Sequence, residues 1–136
     1  MINMPVTVDN PVEKVFKRWS EEAAKPTCGE NYSMDMSKIP AKFPYMRMLY
    51  MGGTHSEGDL EGDECAITIS FQIECFANGS NALSKAYDLD DVSHKSMIGM
   101  GFRRTYQNLV ENADSTIKRV VSRYSRIYTG QLLGEK

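Results

Sequence analysis

The spacing of apolar residues predicts a helix near the start of the chain. In "DNPVEKVFKRWSEEAAKP", apolar side chains recur three and four residues apart, at Val12, Val15, Phe16 and Trp19. Asp9 or Asn10 can cap the helix because their short polar side chains accept hydrogen bonds from free amides. Pro26 ends it, since proline cannot continue a helical ladder. We therefore predict a helix over 10–24.

Alternating apolar and polar positions predict a long hairpin in the middle of the chain. "FPYMRMLYM" is rich in large side chains, and "CAITISFQIECFA" places apolar residues on one face, at Ile67, Ile69, Phe71, Ile73 and Cys75. Between these strands lies "GGTHSEGDLEGDE", residues 52–64, which we call the acidic segment. It holds five carboxylates and four glycines but no Lys or Arg. We predict a hairpin over 43–77 with this segment at its tip.

The second half of the chain predicts one more helix and two more strands. Ser80 or Asn81 can cap a helix over 80–100, and Gly101 is a typical stop. Two strands then follow within 102–129, rich in β-branched and aromatic residues. Residues 25–42 lack a sustained period and are predicted as a loop, which either orders against a partner or contains a short strand.

This order of elements predicts the fold class. Helix, strand, strand, helix, strand, strand within residues 1–136 is typical of a single α+β domain. We expect a mainly antiparallel sheet of about four strands, with two principal helices packed mainly on one side of it.

Charge is unevenly distributed along the chain. The net charge is −2, from 16 basic and 18 acidic residues. Residues 43–100 carry nine acids and three bases, whereas residues 101–136 carry seven bases and three acids. This division favours a surface that meets a second copy or another charged partner, and solvated faces are the alternative. The small net charge argues against a dedicated nucleic-acid-binding protein.

Composition also bears on the compartment. No run of eighteen apolar residues occurs, and the N-terminus lacks the pattern of a secretion signal, so we expect neither a membrane span nor secretion. The three cysteines, Cys28, Cys65 and Cys75, are an odd number and are predicted to be free thiols in a reducing compartment.

Catalytic and metal-binding patterns are weak. His55 lies in the acidic segment near Ser56 and Asp59, but a glycine-rich tip does not provide the rigid constellation that a hydrolytic triad needs. His94 is expected at a solvated position. The cysteines form no Cys-x-x-Cys pair, and the acidic runs lack the glycine and glutamate of a calcium loop. We expect no enzyme activity, no metal and no cofactor.

Basic and aromatic residues near the C-terminus are candidates for a subunit interface. They are Arg103, Arg104, Arg119, Arg123, Tyr124 and Arg126. With Lys118, these arginines can contact phosphates, remain solvated, or pair with the acidic middle of another copy. Methionines near these segments suit either adaptable contacts or the core; they are Met34, Met36, Met46, Met48 and Met51.

Residues 43–130 resemble a family of phage proteins. The resemblance lies in Phe43-Pro44, the strand at 66–76, "MGFRR" at 100–104, and the last strand from Ile117 through Tyr128, with Arg119, Arg123 and Tyr124 in place. This pattern resembles the tail-terminator or tail-completion proteins of long-tailed bacteriophages. The resemblance implies a structural virion protein, assembled in the host cytoplasm. It also implies a ring, commonly a hexamer, that caps the tail tube and joins it to the head connector while DNA passes through without specific binding.

The same resemblance implies two roles for the acidic segment, whose carboxylates are Glu57, Asp59, Glu61, Asp63 and Glu64. They can face the DNA channel and repel phosphates, or they can contact arginines of the tube or connector protein. Two alternatives to a tail terminator remain. One is another neck protein, such as a head-completion factor, and the other is an α+β domain that binds a small molecule or peptide.

Overall fold

The N-terminal helical segment begins at a side-chain cap and continues beyond its predicted end. In a computed structural model that describes residues 9–34, 40, 42–55, 66–111 and 114–134, the Val12 amide donates to Asn10 Oδ1 at 3.0 Å. Helix α1 spans Val12–Trp19, a π-helical segment follows at Ser20–Ala24, and α2 spans Lys25–Cys28. The predicted loop from residue 25 is therefore wrong at its start. Pro26 lies in the first turn of α2, where its missing N–H is tolerated.

Five strands form one sheet. They are β1 (Tyr32–Ser33), β2 (Tyr45–His55), β3 (Ile67–Asn78), β4 (Arg103–Val110) and β5 (Ile117–Tyr128), in the order β1-β2-β3-β5-β4. All neighbours are antiparallel except β1, which runs parallel to β2. The α+β class is confirmed. The sheet has one strand more than expected because two residues of the predicted loop pair with Met46 and Arg47.

The described helices pack on one face of this sheet. Helix α3, Ala82–Gly99, contacts β3 and β5, and the N-terminal helical segment packs against α3. The core between these layers includes Trp19, Met46, Phe71, Ile73, Met97 and Tyr124. Trp19 Nε1 donates to Ser93 Oγ at 2.8 Å, which satisfies the buried indole. No described helix is both long and apolar enough to span a membrane.

Helix α3 starts differently from the prediction. Asn81 precedes it in the left-handed region, with φ of 59°, and its side chain makes no capping hydrogen bond. Instead the Asn81 carbonyl accepts from the Lys85 amide at 2.9 Å. Asparagine tolerates this conformation better than most residues, so it serves as a turn residue after β3 rather than as a side-chain cap.

Candidate assembly surface

The sheet face opposite the helices carries a buried ion-pair network. Glu74 of β3 is 3% exposed and receives Arg47 Nη2 from β2 at 2.9 Å and Arg119 Nη1 from β5 at 3.3 Å. Gln72 Nε2 donates to the other carboxylate oxygen at 3.0 Å. Both guanidiniums also lie over the Phe76 ring, at 5.4 and 6.0 Å from its centroid. This network joins three strands, and its two guanidiniums share one carboxylate.

A second buried carboxylate ties the edge strand β4 to α3. Asp90 of α3 is fully buried and accepts three hydrogen bonds, from Ser122 Oγ at 2.6 Å, Gln107 Nε2 at 2.7 Å and Arg104 Nη2 at 2.9 Å. Gln107 and Arg104 both belong to β4, whereas Ser122 belongs to β5.

Burial, together with the nearby Asp90 charge, raises the pKa of the Cys75 thiol well above its usual range.

Next to Asp90, one histidine and one tyrosine interact. His94 Nδ1 lies 3.1 Å from Tyr124 Oη, and their rings are 5.8 Å apart. The expected solvated position of His94 is therefore wrong, because one side of its ring packs on the sheet. Burial lowers the pKa of His94, and the Arg104 charge lowers it further, whereas the charges of Asp90 and Asp91 raise it. Burial and Asp90 raise the pKa of Tyr124 to about 12.

Arg126 holds the C-terminal tail on the domain. Its guanidinium donates to the carbonyl of Met100 and, at 3.2 Å, to that of Gln131, while Nε donates to the Ile127 carbonyl at 3.0 Å. Arg18 adds a hydrogen bond to the carbonyl of Leu133. The tail is thereby fixed against the end of α3.

The structure divides the six predicted interface residues into four groups. Tyr124 is fully buried in its own chain, so its side chain is a core residue in this conformation. Arg104 and Arg119 pair with buried carboxylates, and Arg126 binds backbone carbonyls. Arg103 and Arg123 are exposed and form no ion pair within the described ranges. These last two are the strongest candidates for contact with an anionic partner.

Arg103 and Arg123 lie together on the helix-free face of the sheet. Arg103 pairs with Ser125, and Arg123 pairs with Tyr106 in the ladder between β4 and β5. Arg123 is held in place, because its Nε donates to Gln72 Oε1 at 2.8 Å and its guanidinium lies 5.1 Å from the Tyr106 ring centroid. A bulge between Arg104 and Tyr106 bends the edge strand at this point.

A groove of about 570 Å³ opens beside these arginines at the end of β5. We call it the basic groove; it is lined by Thr68, Gly101, Arg103, Ser125, Arg126, Ile127 and Leu133. Ile127 and Leu133 are 64% and 60% exposed. The described lining contains two arginines and no carboxylate, so the groove combines positive charge with exposed apolar surface.

The predicted acidic contacts lie outside the described residues. These five carboxylates all fall between the end of β2 and the start of β3; they are Glu57, Asp59, Glu61, Asp63 and Glu64.

Of the methionines considered for a contact surface, Met46 and Met48 are buried in the core, and Met51 is 50% exposed. Met36 lies outside the described residues.

Sequence reasoning missed both buried carboxylates. A signal for Asp90 was present, because it shares the helical stripe of Ala86, Ser93 and Met97, all of which are buried. Glu74 gave no such signal, because strand alternation places it on the polar face of β3.

Among the described residues, no group of three or more His, Cys, Asp or Glu side chains is arranged to hold a metal ion.

Comparison with known proteins identifies a chain of similar fold. No protein-family model matches the chain, and no curated protein sequence matches it. In structure the chain is similar to a chain in the virion of a native gene transfer agent particle, with a TM-score of 0.61 and 9% sequence identity. The match covers 88% of this chain and 92% of that chain. At this identity the likeness shows a shared fold.

Proposed function

We propose that the chain is a structural protein of a phage-like virion, and more narrowly a tail terminator or tail-completion protein. The observation that carries this proposal is the fold shared with a virion chain over nearly the full length of both chains. The sequence resemblance over residues 43–130 is independent support, since it rests on residues rather than on backbone geometry. The protein acts by assembly and carries out no catalysis.

In this function the chain forms a ring, commonly a hexamer, on the end of the tail tube and joins it to the head connector. Arg103 and Arg123 contribute to its contacts, because their charges are not neutralised within the described chain. The acidic segment faces the DNA path or contacts a partner. Reversing the charge of Glu61 and Asp63 separates these roles: slowed DNA ejection from normal particles indicates the channel, and failed joining indicates the contact.

Reconstitution with tail-tube protein tests the proposed function. Purified chain is added to elongating tubes, and tube length and tube ends are examined by electron microscopy. We expect elongation to stop and a ring to appear at one end. Tubes that elongate unchanged, without a terminal ring, would contradict the proposal. Localisation of the chain on tailless heads would instead identify a head-completion factor.

One observation favours a ligand-binding domain as the second candidate. A groove of about 360 Å³ lies between the start of β2 and α3, lined by Phe43, Pro44, Ala77, Asn78, Lys85, Asp88 and Leu89. Its apolar lining and two charged groups suit a small molecule or peptide. A ligand that raises the thermal midpoint of the chain, and whose effect is lost in Leu89→Asp, would support this candidate.

A further inference from the structure

The basic groove has the lining that an acidic segment with one large apolar side chain requires. We propose that the basic groove of one subunit binds the acidic segment, residues 52–64, of a neighbouring copy. This inference rests on the proposed ring function and assigns the contact that joins adjacent subunits. The groove belongs entirely to described residues, whereas most of the segment follows β2 outside them.

The basic groove and the acidic segment carry opposite charges. Arg103 is exposed in the groove and Arg123 lies beside it, and neither forms an ion pair within the described part of the chain. The acidic segment carries five carboxylates and no basic residue except His55. Arginine binds carboxylates through two parallel hydrogen bonds, so two exposed arginines can orient an acidic segment as well as attract it.

The apolar lining identifies the partner as protein rather than nucleic acid. Ile127 and Leu133 expose more than half of their surfaces in the groove. Leu60 is the one large apolar residue of the acidic segment and is flanked by Asp59 and Glu61. Its burial between Ile127 and Leu133 would remove apolar surface from water while the flanking acids meet the arginines. The charged phosphates of a nucleic acid offer no apolar group to such a lining.

The position of the groove at an edge of the sheet accommodates a neighbouring copy. Thr68 lines its inner end on β3, and Arg103 lines its outer end on the edge strand β4. Because the segment's own chain enters β3 just before Thr68, the choice of a neighbouring copy rests on the proposed ring function and on the open edge of β4. A neighbour placed beside β4 can present its segment there directly. Because the segment and the groove are different surfaces, the contact is head-to-tail, and repetition of such a contact closes a ring when the rotation permits.

Two charge-reversed variants test the contact by complementation. Arg103→Glu/Arg123→Glu makes the groove acidic, and Glu61→Lys/Asp63→Lys makes the segment basic. Sedimentation velocity over a concentration series, alone and with tail tubes, measures self-association. We expect each variant alone to associate at least about tenfold more weakly than the unmodified chain, because like charges meet. An equimolar mixture should regain association, since each groove then faces a segment of opposite charge.

A matched control separates the contact from net charge. Lys17→Glu/Lys25→Glu makes the same charge change as the groove variant at exposed positions on α1 and α2. We expect its association to stay within about twofold of the unmodified chain, because a change in net charge alone acts weakly at physiological salt. Circular dichroism and thermal midpoints show whether each variant remains folded before its association is interpreted.

The outcomes distinguish this inference from the proposed function. A mixture that does not regain association overturns the inference, as does an unmodified chain that stays monomeric both alone and on tubes. Groove variants that lose DNA affinity but keep self-association also overturn it, in favour of a nucleic-acid contact. Rings on tubes without complementation leave the proposed function standing. Complementation without any effect on tubes supports the inference and contradicts the proposed function.

Discussion

Arg104 Nη2 donates to Asp90 Oδ2 at 2.9 Å, and this pair links the outermost strand of the sheet to the long helix α3. Asp90 is fully buried, whereas the Arg104 side chain is 25% exposed. The pair therefore holds β4 at the residue next to the exposed Arg103. Because the surface proposed for assembly lies on this strand, its geometry depends on a carboxylate inside the core.

Removal of the Asp90 carboxylate should loosen β4. In Asp90→Ala, donors on Arg104, Gln107 and Ser122 lose their acceptor, and we expect a loss of at least about 2 kcal/mol in unfolding free energy. Urea denaturation measures the loss, and hydrogen exchange should show faster exchange of the amides at 103–110. Asp91→Ala is the control, because its ion pair with Lys95 is exposed and worth less than about 0.5 kcal/mol. Equal losses in the two variants would contradict this role of Asp90.

The Glu74 network should tolerate joint replacement better than single replacement. Glu74→Leu leaves Arg47 and Arg119 without their shared carboxylate, and we expect it to cost about 3–5 kcal/mol of unfolding free energy. Arg47→Met/Glu74→Leu/Arg119→Met should recover most of that loss, because no buried charge is left unpaired. Chemical denaturation of the two variants checks this. A triple variant no more stable than Glu74→Leu would show that the arginines stabilise the sheet independently of Glu74.

Gly101 should be more sensitive to substitution than Gly130, a glycine with a similar φ. Gly101 has φ of 95°, and an added Cβ would lie 2.8 Å from Arg126 Nη1 and 3.0 Å from Leu133 Cγ. Gly130 has φ of 111° with no atom within 4 Å of such a Cβ. We expect both alanine variants to lose about 1 kcal/mol through backbone strain. Gly101→Ala should lose more, through displacement of Arg126 and the tail. Thermal unfolding of both variants measures the difference, and equal losses would show that this contact relaxes freely.

Protonation of His94 should destabilise the fold. Its pKa is lowered in the folded state by burial and by Arg104, so the unfolded chain binds the proton more readily. The contribution of neutral His94 to the free energy of unfolding is fully present above about pH 6.5, the pKa of histidine in the unfolded chain. This contribution is lost as the pH falls toward the lower pKa that His94 has in the folded state, and below that pKa no further loss is expected. Denaturation between pH 8 and 5 should show this fall, and His94→Gln should remove its contribution. An NMR titration of His94 with an ordinary or raised pKa would contradict the expected direction.

Cys28 and Cys75 should react slowly with thiol reagents in the folded protein. Both thiols are buried, and burial raises the pKa of each, so little thiolate is present near neutral pH. Alkylation followed by peptide mass spectrometry should show modification of these two cysteines only at the rate of local or global unfolding. Reaction of Cys75 as fast as in urea would show that the space between α3 and the sheet opens readily.

The order of helices and strands could be predicted from the sequence, because the spacing of apolar residues that indicates each element lies within that element. Alternation from Ile67 to Cys75 arises from the pleat of one strand, and the stripe from Val12 to Trp19 arises from the turn of one helix. The short strand β1 was not predicted specifically, since two residues carry too little pattern. Continuation of the helix past Pro26 was also missed, because a proline in the first turn of a new helix gives the same local signal as a stop.

The roles of the arginines were not readable in the same way. Arg119 and Arg123 are four residues apart, and the ladder of β5 places both on the face opposite the helices. Their different environments follow from their neighbours: Arg119 lies beside Glu74 on β3, while Arg123 lies beside Gln72. Strand register decides such neighbours, and register depends on contacts between segments far apart in sequence.

By itself, the sequence determined the α+β class and the separation of acidic residues in the middle from basic residues near the end. Both follow from the order and local spacing of residues. Only the tertiary structure decided which arginines of the basic end meet a carboxylate of their own chain. Arg104 and Arg119 meet carboxylates 14 and 45 residues away, whereas Arg103 and Arg123 meet none in the described chain. The physical reason is that a charge is neutralised by what lies a few ångströms from it, and folding sets that distance.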